Sequence, residues 1–288
     1  MMILDGKAAA LKIRARLREE VENLRPLLGR EPGLAVILAG DDPSSRIYVR
    51  NKRQACAEAG CRSLLYELPA SLGQAEMERL VDELNAREEV DGILIQLPLP
   101  PGLDSLKLLE RIAPSKDVDG FHPQNMGRLA LGLPGLRPCT PAGVMELLRL
   151  HGLSPQGKKA VVVGRSNIVG KPLALMLEAD GPQGNATVTL CHSHTPDIKK
   201  ECLRADFIFL ALGRPQWLKA DMVKEGAVVV DIGITRTDLG LKGDCDFDAL
   251  LPKVRAITPV PGGIGPMTIA MLLRNTLQAC ILRAGGAP

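Results

Sequence analysis

The chain has 288 residues, which is long enough for two domains with ample buried core. Its composition is 45% hydrophobic and 24% charged, as in ordinary globular proteins, and its net charge of +3 is too small to indicate a nucleic-acid or membrane surface. The seven cysteines are scattered without a CxxC pair, and neither a signal peptide nor a membrane span is apparent. We therefore expect a cytoplasmic protein that binds neither nucleic acid nor membrane.

The first third of the chain alternates helical and strand patterns. A helix between the first two strands is expected to have its N-cap at Ser44 or Ser45 and a glycine C-cap at Gly60. This βαβαβ order predicts a parallel sheet. The predicted segments are helix 8–28, strand 34–38, the helix up to Gly60, strand 64–68, helix 75–87 and strand 92–97.

A second alternating series follows residues 113–141, which are rich in Pro, Gly and polar residues and predict a connection between domains. The two series together predict a two-lobed α/β protein, with a parallel-sheet lobe, a Rossmann-like lobe and a cleft between them. The predicted segments are helix 141–151, strand 159–164, helix 170–179, strands 186–191, 206–212 and 227–233, a turn at 258–266 and helix 267–283.

A glycine turn connects the first strand of the second lobe to its helix. The strand ends in Gly164-Arg165-Ser166, and Gly170 precedes the helix. Such a turn presents backbone N–H groups and the positive end of a helix dipole to a phosphate. The spacing is not GxGxxG, so the turn by itself fits an ordinary strand–helix connection almost equally well.

The end of the following strand favours one nucleotide over another. An NAD site usually has an acidic residue here, but the strand ends in Cys191 and then His192-Ser193-His194. Arg165 and Ser193 could instead contact a 2′-phosphate, so we expect NADP. The spacing of the cysteine and the two histidines fits no zinc motif, and we expect no metal.

In the first lobe, Tyr48 and Lys52 are four residues apart on a predicted helix and share one face. Spacing alone favours simple packing of the tyrosine on the lysine stem. A ligand site gains support from Gln96, which ends a predicted parallel strand, where open α/β sheets bind ligands. Asp117 and Asp119 lie in a nearby turn, and turn formation alone could explain both.

Several long blocks of sequence resemble one enzyme family. The similarity runs from LDGKAAA (4–10) to the final helix and identifies the chain as similar to the bifunctional methylenetetrahydrofolate dehydrogenase/cyclohydrolases. The blocks are SSRIYVRNKRQACAEAG, DGILIQLPLP, PSKDVDGFHPQNMGRLALG, RPCTPAGVMELL, VVVGRSNIVGKPLALML, TVTLCHSHT and TPVPGGIGPMTIAML.

The resemblance implies that the chain oxidises 5,10-methylenetetrahydrofolate with NADP and hydrolyses the methenyl product to 10-formyltetrahydrofolate. It implies that Lys52 is the catalytic lysine, hydrogen-bonded by Gln96, that Tyr48 stacks on the aminobenzoate ring and that Asp119 holds the pterin. The implied folate-lining residues are Ile95, Gln96, Leu97, Pro261, Gly262, Gly263, Ile264 and Gly265. The implied NADP contacts are Gly164, Arg165, Ser166, Ser193 and Ile234.

The resemblance also implies a domain plan and an assembly. Residues 1–120 and 268–288 would form the folate-binding catalytic domain, 121–140 the connection, and 141–267 the NADP-binding domain of a homodimer. A dehydrogenase without the hydrolytic step, a shikimate-like NADP dehydrogenase and a non-catalytic folate-binding protein are the alternatives. They explain Tyr48, Lys52, Gln96 and Asp119 together less well.

Overall fold

The computed structural model describes residues 1–238 and 240–285 and divides into two compact units, each with its own parallel sheet. The predicted α/β class is therefore confirmed. The first unit comprises residues 1–10 and 140–268, and the second unit comprises residues 11–139 and 269–285.

The helices and strands of the described residues follow the predicted alternation. The α-helices are α1 (Gly6–Leu28), α2 (Pro43–Glu58), α3 (Gln74–Ala86), α4 (Ser105–Arg111), α5 (Pro123–Ala130), α6 (Cys139–Leu150), α7 (Gly170–Glu178), α8 (Ile198–Arg204), α9 (Phe247–Leu250) and α10 (Ile264–Arg283). The strands are β1 (Met2–Ile3), β2 (Gly33–Ala39), β3 (Arg62–Leu68), β4 (Gly92–Ile95), β5 (Lys159–Val163), β6 (Thr187–Cys191), β7 (Phe207–Leu210), β8 (Val228–Asp231), β9 (Thr235–Thr237), β10 (Gly240–Lys242) and β11 (Ala256–Ile257).

Helix α2 begins and ends where its flanking residues dictate. The Asp42 carboxylate accepts a hydrogen bond from the Ser45 N–H at 2.7 Å, and Pro43 occupies the first turn. The prediction of Ser44 or Ser45 as the N-cap is wrong, because this aspartate supplies the acceptor. The C-cap is Ala59, so the predicted C-cap at Gly60 is off by one residue; Gly60 follows Ala59 with φ of +74°, the left-handed conformation in which many helices end.

The sheet of the second unit has the order β3-β2-β4, and β2 is hydrogen-bonded in parallel to both neighbours. Every residue of β2 is buried, as expected for the central strand of a parallel sheet. Ile37 of β2 is in register with Tyr66 of β3 and Ile95 of β4. The carboxyl ends of the strands therefore share one edge, and α2 starts from that edge.

The sheet of the first unit has six strands in the order β1-β11-β8-β7-β5-β6, all parallel to their neighbours. Val163 at the end of β5 is in register with Cys191 of β6 and Leu210 of β7, and Leu210 with Asp231 of β8. The loops that follow these strands consequently leave the sheet at one edge, which is where open α/β sheets bind ligands.

Several short elements were not predicted. The two-residue strands β1 and β11 pair with each other, and β9 and β10 form an antiparallel hairpin. Residues 113–141, expected to be a connection, contain α5. Helices α4, α8 and α9 have four to seven residues.

All seven cysteines have buried, free thiols. None of the helices in the described ranges has the length and apolar character needed to cross a membrane. Among the same residues, no three His, Cys, Asp or Glu side chains are grouped so that they could hold a metal ion.

Candidate active site

Lys52 lies one turn after Tyr48 on α2 and contacts the glutamine predicted from the sequence. Its Nζ donates to the Gln96 Oε1 at 3.0 Å. The Gln96 Nε2 donates to the Leu97 carbonyl at 2.7 Å, so both ends of the amide are fixed. The Tyr48 side chain remains 40% exposed. A lysine held by a neutral acceptor therefore lies beside a tyrosine ring that is open to a ligand.

The sheet edge fixes the position of Gln96. Ile95 is the last residue of β4 and is only 2% exposed, and the Gln96 N–H donates to the Ile37 carbonyl at 2.9 Å. The next peptide bond, between Leu97 and Pro98, is cis. The backbone at Gln96 thus continues the sheet pairing, while its side chain reaches Lys52.

Asp119 is half-buried and close enough to Lys52 to interact with its charge. Burial raises the pKa of Asp119 to about 6; Lys52 and the Cys139 thiol lower the pKa, whereas the neighbouring Asp117 raises it. At neutral pH this carboxyl is mainly ionised and can accept hydrogen bonds from a ligand. Below a pH of about 6 it becomes protonated and loses much of that capacity.

The neighbours of Asp119 have structural contacts instead. The Asp117 carboxylate accepts from the N–H groups of Phe121 and His122, at 3.2 and 2.8 Å, and from the Asn125 Nδ2 at 2.8 Å. The Lys116 Nζ donates to three carbonyl oxygens at the end of α3. Turn formation could explain both aspartates, but of the two only Asp119 has Lys52 among the main influences on its pKa.

In the first unit, the turn after β5 needs two of its glycines. Gly164 has φ of +122°, and a Cβ there would lie 2.3 Å from the Ala211 carbonyl oxygen. A Cβ at Gly170, the first residue of α7, would lie 1.9 Å from the Gly164 oxygen. The Ser166 Oγ accepts from the Val169 N–H at 3.1 Å. The two glycines therefore let the turn pack closely against its own backbone and the residue that follows β7. A strand, turn and helix start of this kind is where open α/β folds bind nucleotide phosphates.

The turns after β5 and β6 are adjacent, because the Gly164 N–H donates to the Cys191 carbonyl at 2.9 Å. Arg165 and Ser193 occupy these two turns and are exposed. Within the described part of the chain, neither side chain has a hydrogen-bond or ion-pair partner. A guanidinium and a hydroxyl without partners suit a 2′-phosphate, whereas a carboxylate would be required to bind free ribose hydroxyls.

The loop 261–265 and Ile234 are neighbours within the first unit. A Cβ at Gly265 would lie 3.6 Å from the Ile234 Cδ1, and Ile234 is 38% exposed. Gly262 has φ of +107°, and its carbonyl accepts from the Lys7 N–H at 2.9 Å. The start of α1 thus fixes this loop.

Two residues near Asp119 were missed as site residues by the sequence analysis. Cys139 lies in the sequence RPCTP, one of the blocks that carry the family resemblance. Asn275 lies in the final helix. No local pattern marks Asn275, which stands between Arg274 and Thr276 in α10.

These features define the class of protein: an α/β enzyme with a nucleotide-binding unit and a separate unit that carries a lysine site. The family model for the tetrahydrofolate dehydrogenase/cyclohydrolase catalytic domain matches residues 4–119. The model for the NAD(P)-binding domain of the same family matches residues 138–284. The chain belongs to the tetrahydrofolate dehydrogenase/cyclohydrolase family, which confirms the family predicted from the sequence.

Known relatives match over nearly their whole length. The bifunctional protein FolD of Nitratidesulfovibrio vulgaris is 64% identical over 285 residues, covering 99% of this chain and 100% of that protein. The structure of the bifunctional enzyme from Campylobacter jejuni is 49% identical, with a TM-score of 0.95 and coverage of 98% and 99%. The Trypanosoma brucei dehydrogenase-cyclohydrolase, complexed with NADP cofactor and inhibitor, is 41% identical, with a TM-score of 0.92 and coverage of 100% and 99%.

Proposed function

We propose that this chain oxidises 5,10-methylenetetrahydrofolate with NADP and hydrolyses the product to 10-formyltetrahydrofolate, with Lys52 as the catalytic lysine of the hydrolysis. Family membership supports both activities. The observation that carries the role of Lys52 is its 3.0 Å hydrogen bond to Gln96, with Tyr48 one turn away and Asp119 within charge range. A dehydrogenase without the hydrolytic step would have no need of this lysine–amide pair.

The folate would be held by the second unit through two contacts. The exposed ring of Tyr48 would stack on the aminobenzoate ring, and the Asp119 carboxylate would accept hydrogen bonds from the N–H groups of the pterin. The family resemblance also assigns Ile95, Leu97 and, separately, residues 261–265 to folate binding.

Hydride transfer needs mainly positioning from the protein. NADP, when bound, supplies the acceptor for the hydride that leaves the folate methylene carbon. The turn at Gly164 and Ser166 would hold the pyrophosphate, and Arg165 with Ser193 would hold the 2′-phosphate. Ile234 would supply an apolar contact next to the dinucleotide.

Hydrolysis of the methenyl cation needs one proton to be removed from water and one to be delivered to the folate N5. Water adds to the methenyl carbon, and the neutral amine of Lys52 accepts the proton that the water loses. The bond between this carbon and N5 then breaks, N5 takes a proton from Lys52, and the formyl group stays on N10. Loss of the hydroxyl proton completes the carbonyl, so one proton is released overall.

Replacing Lys52 by methionine tests this assignment. We expect Lys52→Met to lower hydrolysis of methenyltetrahydrofolate by about 100-fold or more, because the proton relay is lost. Part of the dehydrogenase activity should remain, because hydride transfer depends on positioning. Both activities can be followed by absorbance, through the appearance of NADPH and the disappearance of the methenyl compound.

The matched control is Arg53→Met, which removes a positive charge at the next position of α2, where the side chain is exposed. It should keep both activities. Hydrolysis by Lys52→Met at the parent rate would show that the role given to Lys52 is wrong.

We also propose that the enzyme is a cytoplasmic homodimer, assembled through its nucleotide-binding domains, with no nucleic-acid partner. The family resemblance supports the dimer, and the small net charge of +3 supports the absence of a nucleic-acid surface. The predicted catalytic domain (1–120 and 268–288), connection (121–140) and NADP-binding domain (141–267) remain part of this proposal. Sedimentation equilibrium at micromolar concentration tests the dimer, and a monomer there would contradict it.

A further inference from the structure

We propose that Asn275 is a positioning residue for Asp119: its amide clamps the two chain segments that hold this aspartate, so that the carboxylate is presented to the folate. The inference rests on the proposed role of Asp119 and adds how that residue is held in place. Asn275 itself would touch neither the folate nor the reacting atoms.

The amide of Asn275 is almost completely enclosed, with the residue 5% exposed. Its Nδ2 donates to the Val118 carbonyl at 2.7 Å and to the Arg137 carbonyl at 2.8 Å. Val118 directly precedes Asp119, so one of the two hydrogen bonds fixes the peptide group that carries the aspartate. The other fixes the segment that lies against it.

The two segments that Asn275 joins, residues 118–120 and 137–139, lie in close backbone contact. Gly120 has φ of +77°, and a Cβ there would lie 2.4 Å from the Arg137 carbonyl carbon. The Cys139 N–H donates to the Asp119 carbonyl at 3.3 Å, and the Cys139 Sγ donates to the Val118 carbonyl at 3.1 Å. Close backbone contact alone leaves the Arg137 carbonyl in need of a donor, and Asn275 supplies it.

This clamp begins where the sheet pairing ends. The Ile93 N–H donates to the Lys116 carbonyl at 2.8 Å, and an isolated bridge joins Ile93 to Asp117. Residues 118–120 lie beyond that bridge and outside the strands. The position of Asp119 therefore depends on hydrogen bonds outside the sheet, and the Asn275 side chain makes one to the Val118 carbonyl and one to the Arg137 carbonyl.

The surroundings of Asp119 make its exact placement matter. The charged or titratable groups that face it are Lys52 from α2, Asp117 from its own segment and Cys139 from the start of α6. A loosened segment would move the carboxylate relative to Lys52 and admit water around it. Improved hydration would bring the pKa of Asp119 down from about 6 towards its ordinary value.

The test compares Asn275→Ala and Asn275→Ser with the parent enzyme as the full chain. We expect KM for methylenetetrahydrofolate to rise about tenfold, while kcat and KM for NADP stay within about twofold, because binding by Asp119 acts on substrate and transition state alike. We also expect the acid limb of kcat/KM, near pH 6 in the parent, to move to lower pH.

Thr276→Val is the matched control on the same helix. Thr276 is fully buried, and its hydroxyl donates to the Leu272 carbonyl at 2.8 Å, within α10. This variant loses one buried hydrogen bond without touching the segments around Asp119. It should therefore leave KM for the folate and the pH profile unchanged.

Asp119→Asn separates failure of this inference from failure of the proposed function. An unchanged KM for the folate in Asp119→Asn would contradict the role of Asp119 itself. If Asp119→Asn raises KM and the Asn275 variants do not, only the clamp is refuted. A fall in kcat together with a rise in KM for both the folate and NADP would show that Asn275 is merely structural and would overturn the proposal. Loss of the folded state in both Asn275 variants would do the same.

Discussion

Lys116 and Lys52 of the second unit both donate to neutral oxygen atoms, but only Lys52 keeps N–H groups that a ligand could use. The Lys116 Nζ is enclosed by three backbone carbonyls, so it has no capacity left for a ligand. The Lys52 Nζ donates to the Gln96 oxygen and keeps further donors for substrate or water. The chemical nature of that one partner therefore determines what Lys52 can do.

Changing this partner to a carboxylate should stop the hydrolysis. In Gln96→Glu, a negative charge about 3 Å from the Lys52 Nζ would stabilise the ammonium form, which cannot accept a proton from water. We expect the pH profile of the hydrolysis to move to higher pH by about one to two units, and its rate at neutral pH to fall about 10- to 100-fold. Initial rates measured from pH 6 to 10 check both effects.

Gln54→Glu provides the comparison for charge alone. Gln54 lies on α2 and donates to Glu58 at 3.0 Å, on an exposed part of the helix. Gln54→Glu should therefore leave the pH profile of the hydrolysis unchanged. An unshifted profile in Gln96→Glu would mean that the protonation of Lys52 does not limit hydrolysis.

Local patterns place Tyr48 and Lys52 on one helix face and Gln96 at a strand end, but spacing alone favours simple packing, so their site roles rest on the family resemblance. Turn composition does not distinguish Asp119 from Asp117, because both are acidic residues of one turn, and only the family resemblance assigns the pterin to Asp119. Which carboxylate faces the lysine is decided by the hydrogen bonds that Asp117 receives from residues 121, 122 and 125. Asn275 could not be predicted, since its partners lie 138 and 157 residues away in the chain.

At the scale of the element, α3 ends on a side chain supplied from elsewhere in the chain. The carbonyls of Leu84, Asn85 and Arg87 accept from the Lys116 Nζ at 3.1, 2.8 and 2.7 Å. These groups have no partner within the helix, and a cation here also complements the helix dipole. Burial lowers the pKa of Lys116 to about 8, so desolvation offsets part of this gain.

Removing this cap should destabilise the second unit. We expect Lys116→Met to lower the free energy of unfolding by about 2–4 kcal/mol, because one buried and two part-buried hydrogen bonds to the end of α3 are lost. Amide hydrogen exchange in α3 should accelerate by a corresponding factor. Lys107→Met, at an exposed position 3.8 Å from Asp104, should change stability by less than about 0.5 kcal/mol. Equal effects of the two variants would refute the capping role.

The long elements were predictable and the short ones were not, for a physical reason. Hydrophobic periodicity needs several turns or alternations to appear, and α2, α3 and β2 have 16, 13 and seven residues. β1 and β11 have two residues each and exist because the backbone of β8 is available to pair with β11. No local pattern marks such strands.

At the scale of the whole molecule, the buried carboxyl group of Asp231 should make the free energy of unfolding fall as pH rises, which is the reverse of the usual effect of an aspartate. Asp231 is 1% exposed and accepts from the N–H groups of Asp244 and Cys245 at 3.0 and 2.8 Å. Burial nevertheless raises its pKa from 3.8 to about 6. Between these values the folded chain binds the proton more tightly than the unfolded chain, so this group lowers stability as pH rises.

We expect the parent to lose about 3 kcal/mol relative to Asp231→Asn as pH rises from about 3 to about 7, through both pKa values. The chain has one tryptophan, Trp217, which packs against the core of the first unit, so urea unfolding can be followed by its fluorescence. Asp221→Asn is the opposite case, because Lys199 lowers the pKa of that carboxyl. A constant difference between parent and Asp231→Asn across this range would contradict the prediction.

The second unit is made of two separate segments of sequence, so its parts are synthesised at different times. Asp119 and the segment around it leave the ribosome long before Asn275, whose amide holds them. At about 5–20 residues per second, synthesis of the 136 residues between Cys139 and Asn275 takes roughly 7–27 s. A nascent chain can thus complete the Lys52–Gln96 contact early, while the aspartate must wait for its partner. Folate binding should therefore appear late in translation, after hydrogen bonding around the lysine is already in place.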